Sequence, residues 1–242
     1  GGKDEASWAG DVPPQGGAAL PRFVVIIALL AGMITTTETA AHAVSAQQGT
    51  GTFEFLPDGG VGEGVEVVAE RTEFSQTFAT GIPGVFRTVQ SPTPVHYQDE
   101  TGAWQPIDTE LTTTGDGLTP EATGPQIEIA PTAAEPELAS IETPQGGSVA
   151  FGLADAAAVP ATVDGATASF EEGAPDTSIE LTALASGVKE VIVLDGAGSP
   201  THFEFPLQLD GLTPTLEADG SVVYRNAATD IVARTPAGFM TD

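Results

Sequence analysis

The sequence predicts an all-β protein. We expect an antiparallel, sandwich-like fold of one domain or two β units, behind a disordered leader and a signal segment. Three observations carry this expectation. Apolar residues alternate with polar ones in Ile127-Glu-Ile129, Ile179-Glu-Leu181 and Phe203-Glu-Phe205-Pro-Leu207-Gln-Leu209, the period of a half-buried strand. Asp-Gly pairs at Asp116, Asp164, Asp195, Asp210 and Asp219 separate such runs and suit tight hairpins, because Gly accepts positive φ. No long stretch has a 3.6-residue period; Ala154–Ala158 is Ala-rich, but Pro160 limits it to a short helical turn.

In chain order, residues 1–21 carry Lys3, Asp4, Glu5 and Asp11 and read as a disordered leader. Residues 22–46 read as a signal peptide. Arg22 precedes the apolar run Phe23–Ile34, and Ala41-His-Ala43 and Val44-Ser-Ala46 resemble A-x-A cleavage sites, so cleavage is expected after Ala43 or Ala46. The run is shorter than the roughly 20 residues that span hydrocarbon, so no stable membrane span is expected after cleavage. A buried core helix is the competing reading; Thr35–Thr37 and the cleavage-like tail disfavour it. Residues 47–64 are Gly-rich and read as a flexible entry.

A first β unit is expected over 65–130, a Pro- and acid-rich linker or loop over 131–137, and a second β unit over 138–242. Val188-Lys-Glu-Val-Ile-Val-Leu194 is near-continuous and β-branched, which suits a central strand. The expected core is Val95, Tyr97, Trp104, Ile107, Leu111, Ile179, Leu181, Val191, Val193, Phe203, Phe205, Leu207 and Leu209. The chain opens on Gly and stops abruptly at Met240-Thr-Asp242, as a fragment would.

Composition excludes several functions. The chain of 242 residues carries 34 Asp+Glu against 7 Lys+Arg, a net charge of −27 that would repel nucleic acid. Without Cys there is neither a disulfide framework nor a thiolate metal site. The apolar content of 40% is too high for a purely disordered acidic tail.

The search for chemistry assigns no catalytic residue. Gly60-Val-Gly-Glu-Gly64 lacks phosphate-loop spacing and a Lys. Gly146-Gly-Ser148-Val-Ala150 approaches a nucleophile elbow, with Asp195 and His202 completing a Ser, Asp, His order. Its flanks, however, read as strands, so a hairpin turn is the better reading. His96 and His202 are isolated and suit strand faces, not a zinc site, and no metal ligand set is assigned. No cofactor is expected; dispersed carboxylates admit weak Ca2+ binding but form no EF-hand loop. A carbohydrate-binding module would use Tyr97 and Trp104, which flank an acidic Gly turn, as a stacking platform.

Three phrases are more specific than composition: Ser91-Pro-Thr-Pro-Val-His-Tyr-Gln-Asp-Glu-Thr-Gly-Ala-Trp-Gln-Pro-Ile-Asp-Thr-Glu-Leu111; Gly187-Val-Lys-Glu-Val-Ile-Val-Leu194, followed by Phe203-Glu-Phe-Pro-Leu207; and Leu216–Val223 running to Ala233–Asp242. Over 68–242 the chain resembles the N-terminal β-rich region of secreted, wall-associated bacterial proteins of the DNRLRE-domain and RHS (YD-repeat) type, especially actinobacterial ones. It contains neither a DNRLRE motif nor YD repeats. The resemblance implies a non-enzymatic exported module with a structural or adhesive role. Its expected partners are downstream domains of the same polypeptide and cell-wall polysaccharide, and its expected location is secreted or cell-wall associated. It transfers no catalytic residue, and Lys189 and Glu190 are expected as a surface charge pair or domain contact.

Overall fold

The computed structural model describes residues 23–31, 64–115 and 117–241. Every strand pairing is antiparallel, and the described residues contain no α-helix, only one 3-10 turn at Val68–Glu70. The fold is therefore all-β. The chain divides into two units: among the described residues, one holds 64–107, the other 23–31 with 108–241. Strand β1 (Phe23–Ala31) belongs to the second.

The smaller unit contains β2 (Val65–Glu66), β3 (Ser75–Ala79), β4 (Phe86–Gln90), β5 (His96–Gln98) and β6 (Trp104–Pro106). Strands β2-β3-β4 form one sheet and β5-β6 a separate hairpin. Its buried side chains are the polar Ser75, Thr77 and His96, while Val65, Ile82 and Phe86 are exposed. Polar pairing holds the unit together, as where Thr77 meets Thr88 across β3 and β4 with hydroxyls 3.0 Å apart.

The larger unit is a two-layer sandwich. One layer is a six-stranded sheet of β7 (Asp108–Thr114), β8 (Gly117–Ala122), β9 (Gln126–Ile129), β10 (Ala139–Glu142), β11 (Ser148–Phe151) and β16 (Leu207–Asp210), in order β16-β11-β10-β9-β8-β7. The other has nine strands. β12 (Thr162–Asp164), β13 (Thr167–Ala174), β14 (Thr177–Leu184) and β15 (Gly187–Leu194) form a meander beside β1. β17 (Thr213–Leu216), β18 (Val222–Arg225) and β19 (Ile231–Thr235) continue it, and β20 (Phe239–Thr241) also pairs with β1. Alternation puts Ile127, Ile129, Ile141 and Val149 of one sheet against Phe170, Ile179, Leu181 and Ile192 of the other in a single core.

Strand β15 is central, as its sequence predicts. Val188, Ile192 and Leu194 join the core, and on the opposite face Val191 is buried and Val193 half-buried. One edge pairs with β14 and the other with β1, through eight consecutive residues from Phe23↔Leu194 to Leu30↔Gly187.

Several expectations are corrected. The unit boundary falls between Ile107 and Asp108, not at 131–137. Of the two alternatives for residues 131–137, linker or loop, the structure has the loop: they connect β9 to β10 within one sheet, with Ala133 fully buried. Of the Asp-Gly pairs, Asp164 and Asp219 turn true hairpins. Asp219 Oδ1 accepts the Ser221 backbone N–H at 3.0 Å and its hydroxyl at 2.6 Å, which fixes the β17–β18 turn. Asp116 lies outside the described residues. Asp195 and Asp210 instead sit where the chain changes sheets, because β15 and β17 lie in one layer and β16 in the other.

Of the expected core, Leu111, Ile179, Leu181, Val191, Phe203 and Phe205 are buried. Val95, Tyr97, Trp104, Ile107, Val193, Leu207 and Leu209 are only half-buried. The first four of these lie in or at the end of the small β5–β6 hairpin, which is too thin to enclose them.

Leu181→Ala is expected to cost about 2–5 kcal/mol by leaving a cavity at a fully buried site. Gly147 has φ +92°, and an added Cβ would lie 2.7 Å from Leu212 Cδ2 and 2.9 Å from the Asp210 carbonyl. Gly147→Ala is accordingly expected to cost about 1–3 kcal/mol. Chemical denaturation checks both.

Candidate functional site

The outer face of the six-stranded sheet carries a polar groove of about 430 Å³. Its origin is the strand register. Gln126 pairs with Glu142, Glu142 with Ser148, and Ser148 with Asp210, giving one row across β9, β10, β11 and β16. Two residues along, Glu128, Ser140, Ala150 and Gln208 make a second row. Paired residues share a face, and these alternate with the core-facing Ile127, Ile141, Val149 and Leu209. The centre is low because Ser140, Ser148 and Ala150 are small, and the rims are high because Glu and Gln are long. Glu137 adds a further carboxylate, and among the described residues the lining contains no Lys, Arg or His. Such a surface offers hydrogen bonds through amides, hydroxyls and carboxylates, and it favours neutral or cationic ligands.

Ser148 thus lies on strand β11, flanked in the pairing by Glu142 and Asp210. The Thr143–Gly147 turn before it is a hairpin connection, with Gly146 and Gly147 at positive φ. Strands lie on both sides, so the strand-to-helix geometry of a nucleophile elbow is not formed. His202 is exposed, with Nε2 3.5 Å from Glu204 Oε1, and Asp195 Oδ2 accepts the Ser178 hydroxyl at 3.3 Å.

A second feature is a partly open pocket at the sandwich interior. Phe151, Val188, Phe205, Leu207, Val222 and Tyr224 line an apolar cavity of about 60 Å³ between the sheets, and Glu190 is among its walls. Strand parity puts Lys189 and Glu190 on opposite faces, and Glu190 is the one that turns inward. This corrects the expected surface pair: Glu190 is 2% exposed and its Oε1 is buried without a hydrogen-bond partner. Burial pushes its carboxyl up to about 8. The other titratable lining residue, Tyr224, is raised by burial and bonded to the Thr235 hydroxyl at 3.0 Å.

In the smaller unit the expected aromatic platform is not formed. Tyr97 pairs with Gln105, and Trp104 with Gln98, so the two rings lie on opposite faces of their hairpin. The Asp99–Ala103 turn sets this parity. Asp99 Oδ1 accepts the Thr101 and Ala103 backbone N–H groups and the Thr101 hydroxyl, and Oδ2 accepts from Gln105, which holds its carboxyl down to about 2.

A charged cluster that sequence reasoning missed anchors the hairpin. Arg71 donates to both Glu66 oxygens, at 2.9 and 2.7 Å, and to the Trp104 carbonyl at 3.0 Å. Buried His96 places Nδ1 2.7 Å from the Thr72 carbonyl, to which it donates, and Nε2 3.6 Å from Glu66 Oε1. The Arg71 hydrogen bonds hold the Glu66 carboxyl below its usual range. The geometry is that of a fastening: all three Arg71 nitrogens are engaged, while His96 Nε2 is buried without a hydrogen-bond partner.

The expected cleavage residues Ala43 and Ala46 lie outside the described residues. Among the described residues no three His, Asp or Glu side chains converge to hold a metal ion, and no helix is long and apolar enough to cross a membrane. No protein-family model, curated protein or solved structure matches the chain.

Glu190 predicts a pH dependence. Between the unfolded carboxyl value of about 4.5 and the folded value of about 8, the native state holds a proton that the unfolded chain releases. Stability contributed below pH 4.5 is therefore lost as pH rises towards 8, with a limiting slope of about 1.4 kcal/mol per pH unit. Glu190→Gln is expected to remove that slope, read as the difference between wild-type and variant denaturation midpoints across pH 5–8. Arg71→Ala is expected to cost the smaller unit about 2 kcal/mol and to release the β5–β6 amides to hydrogen exchange.

Proposed function

We propose that this chain is an exported, non-enzymatic β module with a structural or adhesive role, whose contact surface is the polar groove on the six-stranded sheet. The observation that carries the reading is the two-row register of Gln126, Glu142, Ser148 and Asp210 beside Glu128, Ser140, Ala150 and Gln208. It presents amide, hydroxyl and carboxylate groups at the strand spacing of about 4.8 Å, a repeat suited to an extended polymer rich in hydroxyl or amine groups. Cell-wall polysaccharide has that chemistry. Among the described residues the groove has no aromatic lining, so affinity would come from many hydrogen bonds rather than from stacking.

Export is supported by the composition of residues 22–46, and the surface location by the resemblance of 68–242 to the leading region of DNRLRE-domain and RHS proteins. In that setting the partners are the downstream domains of the same polypeptide and the wall polymer. The net charge of −27 would keep the module apart from anionic surfaces, so neutral or amine-bearing polymers fit better than phosphate-rich ones.

The test is sedimentation with an insoluble wall-polysaccharide preparation. Gln126→Ala with Gln208→Ala, or Ser148→Arg to fill the floor, is expected to weaken retention at least tenfold while leaving the melting temperature within a few degrees. Unchanged retention in both variants would remove the groove from the account. Export is checked separately by fusing residues 1–46 to a reporter and looking for it, shortened, in the medium.

A further inference from the structure

The pocket beside Glu190 departs from the close packing of the rest of the core. Its inner walls are the buried Phe151, Val188, Phe205 and Tyr224, together with Glu190 itself. Leu207 and Val222, both half-buried, continue the lining towards solvent. Protein interiors leave few voids larger than a water molecule, and one water needs about 10–15 Å³. The 60 Å³ of this pocket has room for on the order of five such groups.

A carboxyl among apolar walls is costly unless its oxygens are matched, and among the described residues nothing matches Glu190 Oε1. Residues directly paired in a ladder share a face, and Glu190 pairs with Leu181 on one side and Ile27 on the other, neither of which carries a side-chain donor. The Tyr224 and Thr235 hydroxyls are engaged with each other at 3.0 Å. A leucine at this position would fill space and remove the unmatched oxygen; the chain instead sets an acid beside a void.

We infer that this pocket is a binding site for a small neutral amphiphile, a short aliphatic body with one hydroxyl that donates to the Glu190 carboxyl.

The walls select this class. An aliphatic body matches Phe151, Val188, Phe205 and Val222. An anionic head would meet Glu190 and a chain of net charge −27, with no Lys, Arg or His among the described lining residues. A cationic head would bury two charges, its own and an ionised Glu190, and would leave ammonium donors facing hydrocarbon. Burial raises the Glu190 carboxyl to about 8, so it meets a ligand at neutral pH as an uncharged acid. A hydroxyl then offers a donor to one oxygen and an acceptor to the acid proton, and leaves no group unmatched. This inference goes beyond the groove reading and does not rest on it.

The test titrates the full chain with four probes of similar size, followed by ligand-observed NMR and calorimetry. They are 1-pentanol, its isomer ethyl propyl ether (which accepts a hydrogen bond but cannot donate one), pentylammonium and pentanoate. The variants are Glu190→Leu, and Val222→Phe and Leu207→Phe as two independent ways to fill the pocket. Near-UV circular dichroism establishes that each variant is folded.

The expected result is saturable binding of 1-pentanol, about fivefold tighter than the ether or either ion, the effect of one net hydrogen bond. Glu190→Leu should bring the alcohol down to the level of the ether. The filled variants should bind none of the probes. Wild-type protein that saturates with no probe overturns the site. Equal affinity for alcohol and ether overturns the role of Glu190. Pentylammonium binding tighter than 1-pentanol overturns the neutral class in favour of an ion pair. Binding that survives in the folded Val222→Phe and Leu207→Phe proteins lies elsewhere and overturns the assignment to this pocket.

Discussion

A strand buried on both faces must have both edges hydrogen-bonded, because no water reaches its backbone groups. Gly187–Leu194 is such a strand, and much of the larger unit follows from that constraint. One edge is met locally by β14, through a tight turn and eight paired residues. The other is met by a segment more than 150 residues away in sequence, which also joins β19 and β20 to the sheet. The β12–β15 meander and the β17–β19 meander are thus two halves of one layer, joined through β1. The six-stranded sheet covers the core face of that layer, and the outward residues of its own strands become the groove.

The two units solve the problem of burial differently. The larger unit is cemented by aliphatic and aromatic side chains, with one carboxyl, Glu190, left within. The smaller unit buries hydroxyls and an imidazole beside a half-buried Arg–Glu pair, and leaves Val65, Ile82 and Phe86 at the surface. Apolar burial is forgiving of geometry, whereas a polar interior depends on every donor meeting its acceptor. The smaller unit therefore owes its shape to a few directional bonds around Arg71 and Asp99.

Much of the fold was legible because strand period and turn chemistry are local. The alternation in Ile127-Glu-Ile129 and Ile179-Glu-Leu181 places each Ile and Leu inward, as read. The unbroken apolar character of Val188–Leu194 marks its central position. What was not legible depends on parity across strands. Tyr97 and Trp104 fall on opposite faces because the turn at Asp99–Ala103 pairs Tyr97 with Gln105, and no composition rule fixes that count. Lys189 and Glu190 were expected as a surface charge pair or domain contact, but which of the two faces the core depends on the sheet that covers it. The groove shows the same limit. Small and polar residues recur at alternate positions in Gln126-x-Glu128, Ser140-x-Glu142 and Gln208-x-Asp210, and only the register brings them into rows. Asp195 and Asp210 carry the same turn signature as Asp164, yet the chain leaves one layer for the other there.

Those layer changes bear on how the molecule assembles. β15, β16 and β17 are consecutive in sequence but alternate between the two sheets, so the chain stitches the layers together at the corner beyond Asp210. β16 reaches back to β11, pairing Ser148 with Asp210, and β17 then opens a hairpin in the opposite layer, so the chain closes long loops between the sheets. The entropy of closing such distant loops comes ahead of the contacts that reward it, which puts the sandwich among slow folders, on the scale of milliseconds to seconds. The same stitching denies the layers independent melting, so the sandwich opens as a whole or stays shut, and its weakest point sets the lifetime of all of it.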